Sequence, residues 1–229
     1  MALIHERMNR GRTQMGWLDS FHTFSFGGFS DPTRMGFRNL RVINEDRVIP
    51  GAGFGTHEHA DMDILTYVIS GALRHEDSMG NGSVINEGEM QLMSAGTGVT
   101  HSEMNASDAE PVHFLQIWLI PDKAGVAPRY AETTLEQDPF TTDFDLVVGG
   151  ESALPLHSDA RLYRARLDEG ATVSHALAPG RGGFLHVVSG KVTIEDEPLS
   201  GGDALQFEGV HTCAITTQTD AELLLFDLP

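Results

Sequence analysis

The sequence has one cysteine, Cys213, which excludes an internal disulfide and a thiolate-rich zinc site. It is also short of positive charge: 15 Lys+Arg stand against 33 Asp+Glu in 229 residues, a formal net charge of −18. Phosphate backbones and anionic membrane surfaces are bound by clustered Lys and Arg, so this balance argues against nucleic acid or membrane as a direct partner. No apolar run approaches a membrane span, and the start, MALIHERMNRGRTQMGW, lacks the apolar region of a secretory leader. The expected protein is soluble and cytoplasmic. Long stretches with a 3.6-residue period are scarce as well. A short helix is expected only near Ser158–Leu167.

Glycine, by contrast, is abundant, with 25 residues at short intervals between runs rich in Val, Ile, Leu, Phe and Thr. Examples are MDILTYVIS before Gly71, VHFLQIWLI before Pro121 and FLHVVSGKVTI around Gly190. Such runs, bounded by Gly, Pro, Asn and Asp, read as strands, and many short strands point to an all-β sandwich or barrel. The length suits one large domain or two small ones. The polar stretch Pro121–Phe140 reads as the crossing between two halves, each carrying a similar phrase: ILTYVISGAL at Ile64–Leu73 and FLHVVSGKV at Phe184–Val192. Two copies of one β-barrel unit are the simplest account.

Among eleven histidines, two phrases stand out, His57-x-His59 and His101-x-Glu103. Residues i and i+2 of a strand share a face, so each phrase aims two ligand atoms in one direction. If the two strands are neighbours in a small barrel, three imidazoles and one carboxylate converge, a set suited to a divalent transition metal with coordination positions left open. The glycine-rich approaches Gly51-Ala-Gly-Phe-Gly-Thr and Ser94-Ala-Gly-Thr-Gly let the backbone come close to such a site. The plainer reading of an isolated H-x-H is surface or packing. Two phrases together weigh against it.

These phrases resemble the cupin superfamily. Gly51, His57, His59, Asp63 and Gly71 follow its first motif, with Asp63 in place of Glu and one extra residue before Gly71; Gly88, Ser94, Gly96, His101 and Asn105 echo the second, with Ser94 in place of Pro. Within that superfamily, DSFHTFSFGGF, LRVINEDRVIPGAGFGTHEH, LTYVISGALRHEDS, MSAGTGVTHSEMN and DAELLLFDLP are similar to pirin and the bacterial pirin-like proteins over nearly the whole chain. Arg38 departs from the family, which more often has Gly there.

The resemblance implies a bicupin, two stacked jelly-roll β-barrels, with residues 1–130 as the metal-binding N-terminal domain and 131–229 as a C-terminal cupin-like domain without a complete metal site. It implies His57, His59, His101 and Glu103 as ligands of one divalent metal, Fe(II) in the first place, with Zn, Cu, Ni, Mn or Co also accepted. Asp63 is not a ligand on this reading. The implied activity is that of a quercetin 2,3-dioxygenase, which opens a flavonol with O2 and releases CO, with Glu103 as catalytic base swinging between metal and proton. A flavonol and O2 are then the partners, no organic cofactor is assigned, and the chain works as a monomer. The alternative is pirin's own association with transcription: a metal-bound, redox-sensing co-regulator that contacts protein partners. A deep pocket over the metal would favour the enzyme, and a large partner-binding patch the co-regulator. A phosphate-handling isomerase ranks last, because the ligand region has few basic residues.

Other residues carry weaker expectations. In the second half, His175, Leu177, His211 and Cys213 stand where the ligands would be, with packing as the default reading. His75, Glu76 and Asp77 either line the site entrance or form a solvated turn. His22 reads as a satisfied structural histidine. Phe24, Phe26, Phe54, Phe114 and Trp118 would wall an aromatic pocket or simply pack. Asp108, Glu110 and Glu195-Asp196-Glu197 read as solvated turns, and Cys213 as a small buried residue rather than a reactive thiol.

Overall fold

The computed structural model describes residues 2–135, 140–209 and 212–229, and within them the chain forms strands and one short 3-10 turn, Arg7–Asn9. No helix is long and apolar enough to cross a membrane. The chain divides into two compact units, Gly11–Glu136 with Leu156–Ser158, and Met1–Arg10 with Gln137–Pro155 and Asp159–Pro229. The expected boundary after residue 130 therefore falls inside a strand, Arg129–Thr134, which pairs with Glu89–Ser94 at the edge of the N-terminal sheet.

The N-terminal unit has a seven-stranded sheet, in the order Arg129–Thr134, Glu89–Ser94, Asp63–Ser70, Val112–Leu119, Leu40–Val48, Leu18–His22 and Gly11–Gln14. Its second sheet has four strands, Gly53–His59, Val99–Asn105, Ala72–Asp77 and Gly82–Asn86. All these pairings are antiparallel, and the runs identified from sequence, MDILTYVIS and VHFLQIWLI, lie side by side at the centre of the larger sheet. Tight turns join them. At Gly71 φ is +80° and an added Cβ would stand 2.7 Å from the Pro111 carbonyl oxygen, so only glycine fits.

The C-terminal unit repeats this plan. Its six-stranded sheet runs Leu3–His5, Ala204–Glu208, Gly182–Ser189, Ala221–Leu228, Arg161–Leu167 and Asp145–Val148, with a four-stranded sheet of Thr172–Ala176, Thr212–Thr217, Lys191–Ile194 and Glu197–Ser200. The chain's own start supplies its edge: Leu3–His5 pairs with Ala204–Glu208 as Arg129–Thr134 pairs with Glu89–Ser94. Gly190 has φ +84° and packs on the Asp220 carbonyl, the counterpart of Gly71 on Pro111.

Three expectations are corrected. The helix near Ser158–Leu167 is a strand, Arg161–Leu167: RLYRARL is paired on both sides, by Ala221–Leu228 and by Asp145–Val148, and those ladders outweigh its weak helical pattern. The crossing at Pro121–Phe140 is structured in part, through Arg129–Thr134, while residues 136–139 lie outside the described residues. Arg38 adopts φ +54° in the turn between Phe37 and Leu40, the left-handed conformation that glycine would occupy without strain.

Candidate metal centre

His57 and His59 leave the strand Gly53–His59, and His101 and Glu103 leave its neighbour Val99–Asn105, with His101 directly opposite His57. The register slips between His101 and Glu103, where three residues of one strand span two of the other. That bulge helps bring the two phrases together, because a bulge re-aims side chains locally. The candidate ligand atoms of His57, His59 and His101 lie within 4.8 Å of one another, and the Nε2 atoms of His57 and His101 are 3.1 Å apart. Two nitrogens bound at about 2.0–2.1 Å on adjacent octahedral or tetrahedral positions stand about 2.9–3.4 Å apart, so the pair has the spacing of ligands on one ion. Glu103 joins the cluster through His101, whose ligand atom lies within 4.8 Å of those of Glu103 and His75.

The protonation pattern suits a cation. His57 Nδ1 lies 2.8 Å from the Gly55 carbonyl oxygen, which can only accept, so Nδ1 carries the hydrogen and Nε2 offers a lone pair. His75 Nε2 lies 3.3 Å from Asp77 Oδ2, and His75 Nδ1 lies 3.5 Å from His101 Nδ1. The carboxylate takes the His75 Nε2 hydrogen, which leaves His75 Nδ1 to accept from His101 Nδ1 and frees His101 Nε2 for the ion. Burial, with the neighbouring positive charges of His57 and His75 in support, lowers the pKa of His101 to about 3. Burial, then His101 and His57, lowers that of His59 to about 4. Neutral imidazole is the form that binds metal.

Glu103 is held from the facing sheet. Its Oε1 accepts from Thr66 Oγ1 at 3.0 Å and Gln91 Nε2 at 3.3 Å, and its Oε2 accepts from Gln116 Nε2 at 2.7 Å. Gln91 is oriented by Tyr130, whose hydroxyl donates to Gln91 Oε1 at 2.9 Å while its ring stacks on His75 at 4.8 Å. Thr66, Gln91 and Gln116 occupy one register row that continues through Asn44 to His22. Opposed residues share a face, so this row forms a polar band inside the unit. Apolar clusters flank it: Leu18, Val48, Val68, Leu73, Ile85, Val112 and Phe114 on one side, and Ile64, Met93 and Val99 on the other.

Beside the candidate ligands is a cavity of about 350 Å³, lined by His57, His59 and Glu103 and walled by Trp17, Phe26, Phe54 and Trp118 among others. Trp118 packs edge-on against both His59 and Phe26, at 4.9 and 5.5 Å between ring centroids. Of the expected aromatic wall, Phe26, Phe54 and Trp118 reach this cavity, whereas Phe114 lies in the flanking core cluster and Phe24 is buried without lining it. His22 lines the cavity, with Thr13 Oγ1 and Asn44 Oδ1 each 2.8 Å from its ring nitrogens. Asp46, which sequence reasoning passed over, also lines it; burial first, with the charges of Glu103 and Glu45, raises its pKa to about 7 against the pull of the Ser20 hydroxyl.

The remaining candidates separate cleanly. His75 is fully buried on a strand rather than in a solvated turn, and Glu76 is exposed. Asp63 accepts from the His157 backbone N–H at 2.8 Å and pins the segment Leu156–Ser158, a structural part. Asp108, Glu110, Glu195, Asp196 and Glu197 are exposed. In the C-terminal unit His175 is bonded to Asp227 at 3.1 Å, and the strand register places Cys213 opposite His175 as His101 is opposite His57. The counterpart of His101-Ser-Glu103 is therefore Cys213-Ala-Ile215 and not His211-Thr-Cys213, and His211 lies outside the described residues.

The sequence signal for the missed residues is present in part: Thr66 and Gln116 interrupt apolar runs and Gln91 stands between Met90 and Leu92, whereas Asn44 opens the polar phrase NEDR. The pairing that aligns them could not be read from one sequence.

Comparison with known proteins agrees with this fold. The pirin family model matches residues 5–119, and the model described as a quercetinase C-terminal cupin domain matches residues 148–228. The quercetin 2,3-dioxygenase of Escherichia coli K12 is 42% identical over 238 residues, covering 100% of this chain and 99% of that protein. The crystal structure of YhhW from Escherichia coli superposes with a TM-score of 0.96 at 43% identity, over 100% of this chain and 98% of that one. The nickel(II) complex of the bacterial pirin YhhW gives a TM-score of 0.94 at 42% identity, over 100% and 99% of the two chains. With both units matched in order and a full-length relative at this identity, the chain belongs to the pirin family.

Proposed function

We propose that the chain is a metal-dependent dioxygenase that cleaves a flavonol such as quercetin with O2 and releases CO. The observation that carries this reading is the cavity: a space of about 350 Å³ with aromatic walls opens directly onto His57, His59 and Glu103. Such a volume lies within the usual range for small-molecule sites. The identity to relatives named quercetin 2,3-dioxygenase supports the substrate class. No Arg or Lys is among the residues lining the cavity, which weighs against a phosphorylated substrate. An aromatic-walled pocket beside the candidate ligands favours turnover over the co-regulator reading.

His57, His59, His101 and Glu103 would hold a divalent cation, Fe(II) in the first place, which supplies a Lewis acid and a template for the flavonol hydroxyl and dioxygen. The rest of the work belongs to side chains. Trp118, Phe26 and Phe54 present ring faces and edges that orient flat rings and exclude water. Glu103 accepts the proton of the flavonol hydroxyl at Oε1. The fixed hydrogen bonds to Glu103 argue against the swing expected from sequence, and Thr66 offers another route. The Thr66 hydroxyl has one hydrogen and two acceptors within reach, Glu103 Oε1 at 3.0 Å and Gln116 Oε1 at 3.1 Å. When Oε1 takes the proton, the Thr66 hydroxyl turns to Gln116 and accepts from the new O–H. Gln91 continues to donate to Thr66 Oγ1 at 3.0 Å, so no polar atom is left without a partner.

Oxygen consumption and CO release with quercetin test this reading, using metal-free protein reloaded separately with Fe(II), Mn(II), Co(II), Ni(II), Cu(II) and Zn(II). Saturable uptake with CO release, lost in Glu103→Gln, is expected for at least one ion. Tight binding of these ions without uptake would remove the flavonol dioxygenase.

A further inference from the structure

Two buried polar atoms of residues that line the cavity have no hydrogen-bond partner among the described residues: Asp46 Oδ1 and Trp118 Nε1. Both are buried, both residues line the space next to the ligands, and Asp46 as a whole is 3% exposed. A buried carboxylate oxygen or indole N–H left unpaired costs about 1–3 kcal/mol or more, so native proteins rarely keep two in one cavity unless something fills the gap. They also sit at different places. Asp46 is opposite Phe114 in the sheet, and Trp118 is four residues further along that same strand. Four residues of strand are about 13 Å at the backbone. Between the two lies Gln116, which holds Glu103. Trp118 stands at the metal end, against His59, and Asp46 at the far end.

We infer that Asp46 and Trp118 form a two-point clamp for the substrate: Trp118 Nε1 donates to an oxygen near the metal, and Asp46 Oδ1 accepts from a phenolic hydroxyl at the far end of the molecule. The clamp selects an uncharged, polyhydroxylated aromatic. A carboxylate or phosphate at the far end would meet the Asp46 carboxylate and be rejected. Burial lifts the pKa of the Asp46 carboxyl to about 7, against the pull of the Ser20 hydroxyl, which lets it accept from or share a proton with a phenol. The inference rests on the flavonol reading, which it refines by naming the groups that the cavity recognises.

Anaerobic calorimetric titration of the Zn(II)-loaded protein tests it with two ligands. Quercetin carries hydroxyls on its outer rings, while 3-hydroxyflavone carries only the hydroxyl of the ring to be cleaved. Asp46→Asn should weaken quercetin by about tenfold or more and leave 3-hydroxyflavone within about twofold, as expected for losing one hydrogen bond to a charged group. Trp118→Phe keeps the ring, removes the N–H, and should weaken both ligands by about threefold to tenfold. Zinc content and thermal midpoint should match wild type in both variants. An Asp46→Asn protein that binds quercetin as tightly as wild type, or that loses both ligands equally, would overturn the clamp while leaving the dioxygenase intact. Failure of the wild type to bind either flavonol would remove the flavonol reading and the clamp together.

Discussion

At the centre of its larger sheet the C-terminal unit presents Leu205, Leu185 and Leu225 in one register row, followed by Tyr163. At the same register positions the N-terminal unit presents Gln91, Thr66, Gln116 and Asn44. Opposite the leucines is Ile215 where the N-terminal unit has Glu103, and Ile194 where it has His75. The leucines and both isoleucines belong to one continuous apolar core. One barrel plan thus supports two interiors. A closed apolar filling is self-sufficient, whereas a polar band must be satisfied atom by atom, and that demand fixes Glu103 in place beside the histidines.

Breaking the proposed ligand set should have the largest effect. His101→Ala removes the residue shared by both ligand groupings, and it should weaken metal binding by more than about a hundredfold, beyond the range typical of outer partners. Metal content after dialysis and flavonol turnover would both report it. Retained metal in that variant would place the ion elsewhere.

Exchanging the two interiors comes next. Leu225→Gln puts an unpaired amide into the C-terminal core and should cost about 2–4 kcal/mol in denaturant unfolding. Gln116→Leu strips Glu103 Oε2 of its 2.7 Å donor and should cost about 1.5–3 kcal/mol, with loss of turnover. If either exchange is neutral, the contrast between the fillings does not govern stability.

A smaller effect is expected at His75. His75→Phe keeps a ring to stack on Tyr130 but breaks the line from Asp77 to His101, so metal affinity should fall by about 10–100-fold while the fold persists. Unchanged affinity would show that His101 needs no support.

The mildest prediction concerns acid. The histidines have an ordinary value of 6.5, and His59 and His101 are lowered to about 4 and about 3. Between those values and 6.5 the unfolded chain binds more protons than the native one, so metal-free protein should lose stability as pH falls through that window. Asp46 acts in the opposite sense: raised from 3.8 to about 7, it gives the native state an extra proton in between, and its contribution fades as pH rises. Two histidines against one carboxyl leave a net loss on acidification, and Asp46→Asn should steepen it. Urea midpoints from pH 4 to 7 would check this, and a flat profile in both proteins would contradict it.

Much of this was legible beforehand, for reasons that can be named. Period-two phrases such as His57-x-His59 and His101-x-Glu103 carry their geometry with them, because a strand alternates faces whatever its partners. The apolar runs around Gly71 and Gly190 were equally plain. What stayed hidden depends on pairing. Thr66 and Gln116 look like minor polar interruptions until two strands are set in register, and Asp46 lies in an acidic phrase, NEDRV, that reads as surface. RLYRARL carries no strong strand signal without its two neighbours. The chain's first strand is likewise invisible as part of the C-terminal unit, since its partner lies some two hundred residues away in sequence.

Metal stoichiometry in paired variants tests the central contrast most directly. Elemental analysis of chains saturated with Ni(II) and freed of excess should give one ion per chain in wild type, one in His175→Ala and none in His101→Ala. An ion retained in His101→Ala, or lost in His175→Ala, would contradict the account by placing metal in the unit whose interior is filled with leucine.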